Sequence, residues 1–171
     1  SEYCNQNAYD CIQIHGGSGF MKDYACERVY RDARITSIYE GTTQLQVVAA
    51  IRHVTTGTYL SLIRDYESRE VTEALKPLRE SLIAMTAKYE TAVNTVLEAK
   101  DQSMTDFMAR RMVEMAGNII MGYLLLQDAT RNAEFTKSAE VYCKMAEAEV
   151  AKHSDFIANF TPSQIDAYKP A

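Results

Sequence analysis

The chain has 171 residues, a formal net charge of −5, and 47% hydrophobic residues. A composition this apolar can bury a core, and a mildly acidic chain without a basic run is a poor candidate for binding nucleic acid or an anionic membrane. With seven glycines and three prolines, long helices are favoured over many short strands, so the sequence predicts an all-α fold.

The four cysteines, Cys4, Cys11, Cys26 and Cys143, form no CxxC motif, and the sequence pattern gives them no histidine at ligand spacing. The sequence therefore predicts no metal site and a reduced, cytoplasmic compartment. The most apolar run, residues 119–126, is shorter than the roughly 20 residues that a membrane-spanning helix needs. The chain starts at a serine that already looks helical, which predicts a fragment of a longer protein.

The first third of the chain is predicted to form three helices, over 2–15, 25–36 and 43–54. Gly16 and Gly17 end the first helix, and residues 18–24 are expected to be a loop. The two glycines can be a helix C-cap, or they can expose backbone that a phosphate or an adenine ribose approaches closely. The residues alone leave both interpretations open.

Glu40 lies in a corner just before the third predicted helix, where Thr43 and Gln46 fit a capping box. A carboxylate at this position can simply favour the helix dipole. It can also be a base whose proton affinity is raised by its apolar neighbours Ile38 and Tyr39. Spacing alone does not decide between the two roles.

Three sequence blocks carry a family resemblance. They are Gln-x-x-Gly-Gly-x-Gly-Phe from Gln13, Glu-x-x-x-Arg-Asp-Ala from Glu27, and Ile-Tyr-Glu-Gly-Thr-x-Gln from Ile38. In this order and spacing, over roughly residues 1–54, they resemble the C-terminal signature of acyl-CoA dehydrogenases. The resemblance implies that an acyl-CoA thioester is oxidised to the trans-2-enoyl-CoA, with Glu40 removing the α-proton and the β-hydride passing to FAD.

The resemblance also implies contacts with substrate and cofactor. Gly41 would let the thioester approach closely. Two groups of residues match positions that touch FAD. The first group, at the FAD of the same active site, is Thr42, Thr43 and Gln44. The second group, at the adenosine end of the FAD of a neighbouring subunit, is Gln13, Gly16 and Gly17. A shared FAD site implies a homodimer or homotetramer, and electron-transfer flavoprotein is the implied electron acceptor.

The remaining implications concern what surrounds the site. Arg31 and Asp32 are expected to pack the second helix against its neighbours, and Arg52 stands where some relatives contact CoA. The family's N-terminal helical domain, its middle β-domain and the first two helices of its C-terminal bundle are absent from this sequence. The isolated chain is therefore expected to be inactive, to hold no FAD tightly, and to expose an apolar patch on the helices within 2–54.

Residues 55–171 are predicted to form a second domain, an up-down bundle of three to four long helices over 55–66, 72–99, 103–130 and 133–159. Its methionines at helical spacing are read as core rather than as a metal site. His153 is read as a hydrogen-bonded residue at the core edge, and 163–171 as a loose tail. This part resembles the extra C-terminal helical domain of certain longer bacterial acyl-CoA dehydrogenases. The alternative function for the whole chain is a non-catalytic helical assembly module that keeps the signature.

Overall fold

The computed structural model describes residues 1–168, and every regular element in that range is helical. The α-helices, in chain order, are α1 Glu2–His15, α2 Gly17–Phe20, α3 Ala25–Ile35, α4 Thr43–Thr55, α5 Thr58–Glu67, α6 Lys76–Glu98, α7 Gln102–Arg131 and α8 Thr136–Asn159. Short 3-10 turns occupy Glu73–Leu75, Ala133–Phe135 and Pro162–Tyr168. The prediction of an all-α fold is confirmed. Within residues 1–168, no helix combines the length and hydropathy of a membrane span.

The chain divides into two compact units, Ser1–Ala49 and the part that starts at Ala50. The division falls inside α4, whereas the sequence places the boundary at the end of that helix, after residue 54. The difference arises because Ile51 and Val54, in the second half of α4, pack with the hydrophobic core of the second unit.

In the first unit, α1 packs against α2 and α3. Asn5 Nδ2 donates a hydrogen bond of 3.0 Å to the carbonyl of Ala33, which fastens α1 to the end of α3. The helices approach closely because their contact residues are small: Ala8, Gly19, Cys26 and Ala33 are buried. Residues 17–20 form α2, so the predicted loop over 18–24 is partly wrong. A core of small side chains buries little apolar area, so the first unit has few contacts to stabilise it.

Large apolar side chains of the first unit lie on its surface instead of in a core. Ile14 is 83% exposed and Phe20 is 79% exposed. The others are Tyr3, Tyr9, Met21, Tyr24, Val29, Tyr30, Ile35, Ile38, Tyr39, Leu45 and Val48. The predicted exposed apolar surface is confirmed. An apolar surface of this kind usually marks an interface, although its occupant stays a prediction.

The second unit is a bundle in which α6, α7 and α8 all pack on one another, with α5 against α6 and α7. Pro77 lies in the first turn of α6, where its missing N–H costs nothing. Asp101 caps α7 by accepting a hydrogen bond of 2.8 Å from the Ser103 N–H. The connections at 99–101 and 132–135 are too short for parallel neighbours, so consecutive helices run up and down.

The apolar stripes predicted for the bundle are buried, because each long helix turns one face to the other two. In α7, for example, Met108, Met112, Met115 and Ile119 have no exposed surface. These methionines belong to the core, as predicted, whereas Met121 on the same helix is 45% exposed. Phe135 lies outside the buried stripe, in the turn before α8.

The C-terminal segment is ordered further than the sequence suggests. The turn Pro162–Tyr168 places Ile165 in the core, so the prediction of a loose tail is wrong for residues 163–168. A single apolar side chain in a polar stretch is a weak sequence signal, although it suffices to anchor a short turn on a bundle. The rest of the predicted tail, 169–171, lies outside the described residues.

His153 lies at the edge of the bundle core, as predicted, with Nε2 3.0 Å from a Glu114 carboxylate oxygen and 3.9 Å from one of Glu149. Its pKa is lowered below 6.5, first because burial opposes the charged form, and further because Lys152 and Arg111 are nearby. The two carboxylates raise the pKa, but they do not offset the burial.

Acidification should therefore destabilise the helical bundle through His153. In the unfolded chain its pKa is the ordinary one, so the unfolded state binds the proton first and stability is lost as the pH falls through 6.5 towards the lower folded pKa. Urea unfolding between about pH 7.5 and about pH 5.5 should show a falling midpoint. His153→Asn should flatten that dependence, and His53→Asn should keep it. An equal pH dependence in both variants would contradict the assignment.

Candidate functional site

The corner between α3 and α4 is built from two consecutive residues with left-handed backbone. Glu40 has φ 54° and Gly41 has φ 102°, and apart from Lys100 no other non-glycine residue within 1–168 has positive φ. The corner begins where the Ile38 and Tyr39 N–H groups both donate to the Ile35 carbonyl, at 2.9 and 3.0 Å. A non-glycine residue in this region of backbone space is uncommon and points to function.

The side chain of Gln46 stabilises the corner through a hydrogen bond. Its Nε2 donates a hydrogen bond of 3.0 Å to the Glu40 carbonyl. The capping box predicted for Thr43 and Gln46 is thus not formed, because the Gln46 side chain reaches the corner instead of the Thr43 N–H. A Cβ at Gly41 would lie 3.2 Å from the same Nε2 atom. Glycine at this position is therefore favoured by its positive φ, and a Cβ there would also displace the Gln46 amide by a few tenths of an ångström.

Two groups of Glu40 are left available. Its N–H has no backbone acceptor among residues 1–168, and in that same range its carboxylate has no ion-pair partner. The side chain is exposed, as are the neighbouring side chains of Ile38 and Tyr39. The apolar neighbours expected to bury the carboxylate therefore do not bury it in this chain. Any desolvation of Glu40 has to come from groups outside it.

The residues assigned to one FAD contact lie just after the corner. Thr42 and Gln44 are exposed and Thr43, the first residue of α4, is half-buried. The Thr42 carbonyl accepts the Gln46 N–H at 3.1 Å. The first N–H groups of a helix have no intrahelical acceptor, so this turn is suited to an anion.

The second group of assigned residues lies where α1 stops. Gly16 has φ 59° and ψ −142°, and its N–H donates to the Gln13 carbonyl at 3.2 Å. The glycines do end α1, as predicted. A Cβ at Gly16 or Gly17 would meet no atom within 4 Å, so the backbone here is open to a ligand as well.

Gln13 also lines a cleft of about 680 Å³ between α1, the segment after α2, and α3. The wall combines aromatic rings with charged groups, and consists of Tyr9, Ile12, Gln13, Phe20, Met21, Lys22, Asp23, Glu27, Tyr30 and Arg31. Arg31 and Asp32 are exposed, so within this chain they do not pack α3 against its neighbours, and that role stays a prediction for the longer protein. Glu27 and Arg31 both border the cleft but form no ion pair with each other.

Gly19 is a residue of the glycine motif to which the sequence analysis assigned no role. A Cβ there would lie 2.7 Å from the Ile12 carbonyl oxygen and 2.8 Å from His15 Cβ. The position therefore has to be glycine because α2 lies directly against the end of α1. The spacing Gly-Gly-x-Gly contains this signal, but a close approach of backbones cannot be recognised before the turn geometry is known.

Gly19→Ala should loosen the packing of α1 on α2. The added methyl meets backbone that cannot move independently, and overpacking of this kind costs about 1–3 kcal/mol. Hydrogen exchange in residues 1–24 should become faster by about tenfold or more. Gly17→Ala is the matched control and should leave the exchange rates close to those of the parent chain. Equal rates in the two variants would contradict the role of Gly19.

Two protein-family models match the chain, one over its first part and one over its second part. A family model described as "Acyl-CoA dehydrogenase C terminal" matches residues 55–165, and one described as "Acyl-CoA dehydrogenase, C-terminal domain" matches residues 1–55. The chain belongs to the acyl-CoA dehydrogenase family. The resemblance inferred from the three sequence blocks is confirmed.

Curated relatives match the part of the chain that carries the corner. One is the "Caffeyl-CoA reductase-Etf complex subunit CarC" of Acetobacterium woodii, 54% identical over 46 residues, which are 27% of this chain and 12% of that protein. Another is the "Acryloyl-CoA reductase (NADH)" of Anaerotignum propionicum, 60% identical over 43 residues, or 25% of this chain and 11% of that protein. The chain thus spans only about an eighth of the length of these acyl-CoA dehydrogenase relatives.

A solved structure matches a larger part of the chain. The acyl-CoA dehydrogenase family protein from Porphyromonas gingivalis is 43% identical, with a TM-score of 0.64 over 67% of this chain and 99% of that chain. The helical fold of this acyl-CoA dehydrogenase family member therefore has an experimental counterpart.

Proposed function

We propose that this chain is the C-terminal part of a FAD-dependent acyl-CoA dehydrogenase that oxidises an acyl-CoA thioester to the trans-2-enoyl-CoA. In this proposal residues 1–54 complete the catalytic helical domain and residues 55–171 form an additional helical domain. The single observation that carries it is the corner at Glu40, in a chain that belongs to this family. The corner combines a left-handed backbone with a carboxylate that forms no ion pair with any described residue.

Glu40 acts as the base in the proposed reaction. The α-proton of a thioester is weakly acidic, so the carboxylate must reach the α-carbon directly and must not be neutralised by a cation. The exposed Glu40 side chain meets the second condition. Its desolvation comes from the substrate and from the rest of the enzyme.

The backbone of the same corner serves the carbonyl of the thioester. As the α-proton leaves, negative charge develops on the thioester oxygen, and a positioned N–H stabilises it. The Glu40 N–H has no backbone acceptor within residues 1–168 and is available for this role. Gly41 keeps the approach open because it has no Cβ, and Gln46 fixes the carbonyl side of the peptide.

The residues of the chain fit a FAD contact at two places. Gly16 and Gly17 present open backbone beside Gln13, and Thr42, Thr43 and Gln44 surround the first turn of α4, whose free N–H groups favour a phosphate or a polar ligand edge. When bound, FAD supplies the acceptor for the β-hydride. If the two groups contact FAD in different subunits, the enzyme is a homodimer or homotetramer.

The electron acceptor in this proposal is electron-transfer flavoprotein. It is supported by the name of a relative, the CarC subunit of a caffeyl-CoA reductase–Etf complex. Names such as acryloyl-CoA reductase describe the reverse direction of a related reaction in those relatives. A cytoplasmic location stays a prediction.

A second candidate is a non-catalytic helical assembly module. The exposed apolar side chains of the first unit, such as Ile14 and Phe20, favour it because they suit a protein interface. In the catalytic proposal the same side chains contact the remainder of the enzyme. The two candidates differ in whether a thioester is oxidised.

The test uses the polypeptide in which this chain follows the upstream part of the enzyme. Purified with FAD, it should lose its flavin absorbance when mixed anaerobically with acyl-CoAs of graded length, and the enoyl-CoA should accumulate in equal amount. The 171-residue chain alone should neither retain FAD on gel filtration nor form product. Bound flavin that no acyl-CoA reduces would favour the assembly module, and FAD retained by the chain alone would show that the site is not shared.

A further inference from the structure

Three side chains able to ligate a metal converge between α1 and α3. Cys11 and His15 lie on α1, and Cys26 lies in the first turn of α3. Their ligand atoms all lie within 4.8 Å of one another, and Cys11 Sγ is 3.9 Å from His15 Nδ1. The prediction that no histidine stands at ligand spacing from a cysteine is wrong for one pair, because Cys11 and His15 are four residues apart on one helix face.

The three residues differ in how deeply they are buried. Cys26 is 7% exposed, Cys11 is half-buried, and His15 is exposed at the surface. The two cysteines therefore lie on the buried side of the cluster, and His15 lies on its solvent-exposed side. An ion can reach this position from solvent while the helices that carry its ligands are already packed together.

The donor set selects one chemical class of ion. Two thiolates and an imidazole are soft or borderline ligands, which favour Zn²⁺ or Cu⁺ over Mg²⁺ and Ca²⁺. In a tetrahedral zinc site, bonds of about 2.3 Å to sulfur and about 2.0 Å to nitrogen place those two ligand atoms about 3.6 Å apart. The observed 3.9 Å differs from that separation by a few tenths of an ångström, which a small side-chain rotation supplies.

The imidazole of His15 presents Nδ1 towards Cys11. This atom lies 3.9 Å from Cys11 Sγ and 2.8 Å from the Cys11 carbonyl oxygen. Binding an ion through Nδ1 needs the neutral ring with its proton on Nε2, so the ion takes the place of the carbonyl contact.

The Cys26 thiol lies close enough to Cys11 to affect its pKa. The pKa of Cys11 is raised, first by a hydrogen bond with Cys26, then by burial, and then by the charge that Cys26 would carry. Metal binding requires both thiols to lose their protons, so a dication bound here releases protons and binds more tightly as the pH rises.

We propose that Cys11, His15 and Cys26 form a binding site for a single Zn²⁺ ion, with a fourth coordination position open to water or an external ligand. The ion joins α1 to α3 at the end of α1, next to the open backbone of Gly16. Three protein ligands with an open position are the donor count of zinc sites that exchange a ligand. This inference is independent of the proposed dehydrogenase function.

The test uses the whole 171-residue chain, reduced and stripped of metal. Titration with Co²⁺ should produce a thiolate-to-cobalt charge-transfer band and the visible bands of a tetrahedral ion, saturating at about one ion per chain. Zn²⁺ should then displace the cobalt and abolish both signals. In the presence of Zn²⁺, alkylation followed by mass spectrometry should find Cys11 and Cys26 protected, and exposed Cys4 still reactive.

Variants separate this site from adventitious binding. His15→Gln and Cys26→Ala should each weaken Co²⁺ binding by about tenfold or more. Cys4→Ala removes another thiol of α1 and should bind like the parent chain. His15 is exposed, so its replacement leaves the fold intact, which circular dichroism checks. A missing charge-transfer band, equal affinity of Cys26→Ala and the parent chain, or loss of binding in Cys4→Ala would overturn the proposal.

Discussion

Replacing Glu40 by glutamine in the complete enzyme should slow the reduction of its flavin by acyl-CoA by about 10²–10⁴-fold. Glutamine matches the size of glutamate and can occupy the same corner, because φ 54° is no less favourable for it. The Gln46 contact is made by the backbone carbonyl of residue 40 and survives the change. The variant therefore loses a proton acceptor and keeps the shape of the site. Stopped-flow absorbance of the flavin measures the rate.

The controls for this prediction separate charge from proton transfer. Glu98→Gln removes one carboxylate at the end of α6 and should leave the rate unchanged. Glu40→Asp keeps a carboxylate but withdraws it by one methylene, so its rate should fall between those of the parent enzyme and Glu40→Gln. FAD content should be equal in all variants. A rate for Glu40→Gln equal to that of the parent enzyme would show that Glu40 is not the base.

The second large effect is expected at the crossing of the three long helices. A Cβ at Gly122 in α7 would lie 2.5 Å from Leu82 Cδ2 in α6 and 3.4 Å from Cys143 Sγ in α8. Leu82 has no exposed surface, so its side chain cannot move aside into solvent. The absence of a side chain at Gly122 is thus what lets α6, α7 and α8 approach one another.

Two substitutions of opposite size test this crossing. Leu82→Ala should lower the free energy of unfolding by about 2–5 kcal/mol because it leaves a cavity. Gly122→Ala should lower it by about 1–3 kcal/mol because the added methyl overpacks the same space. In the double variant the new methyl fills part of the cavity, so the combined loss should be smaller than the sum by at least about 0.5 kcal/mol. Urea unfolding followed by circular dichroism measures all three.

Gly117 provides the matched control in the same helix. It is exposed, and a Cβ there would meet no atom within 4 Å. Gly117→Ala should therefore stabilise the bundle by about 0.5–1 kcal/mol through helix propensity alone. If Gly122→Ala also stabilised the protein, or if the double variant were strictly additive, the close packing at Gly122 would not be the determinant of this crossing.

The bundle could be predicted from the sequence because its physics is local. A seam such as Leu82, Met85, Tyr89 and Val93 repeats at three- and four-residue intervals, and all four are buried since only one face of a long helix meets its neighbours. Ile165 was missed because a single apolar residue has no period. The division into compact units falls inside α4 because Ile51 and Val54 pack with the core of the second unit, which the periodicity of the helix does not report.

The candidate site was predictable to a lesser extent. Helical spacing and the position before α4 allowed either role for Glu40, and only the family resemblance favoured a base. The left-handed φ of Glu40 and the Gln46 contact have no signature in propensity, because they depend on the path of the whole corner. The approach of Cys26 to Cys11 likewise depends on how two helices pack, which a single sequence does not report.

Exchange of the substrate's α-hydrogen tests the central claim about Glu40 most directly. An acyl-CoA analogue with sulfur at the β-position cannot lose a hydride, so incubation with the complete enzyme in deuterium oxide isolates proton removal. The parent enzyme should exchange one α-hydrogen for deuterium, seen as loss of its proton NMR signal, and Glu40→Gln should leave both α-hydrogens in place. Exchange at the parent rate in Glu40→Gln would assign the base to another residue.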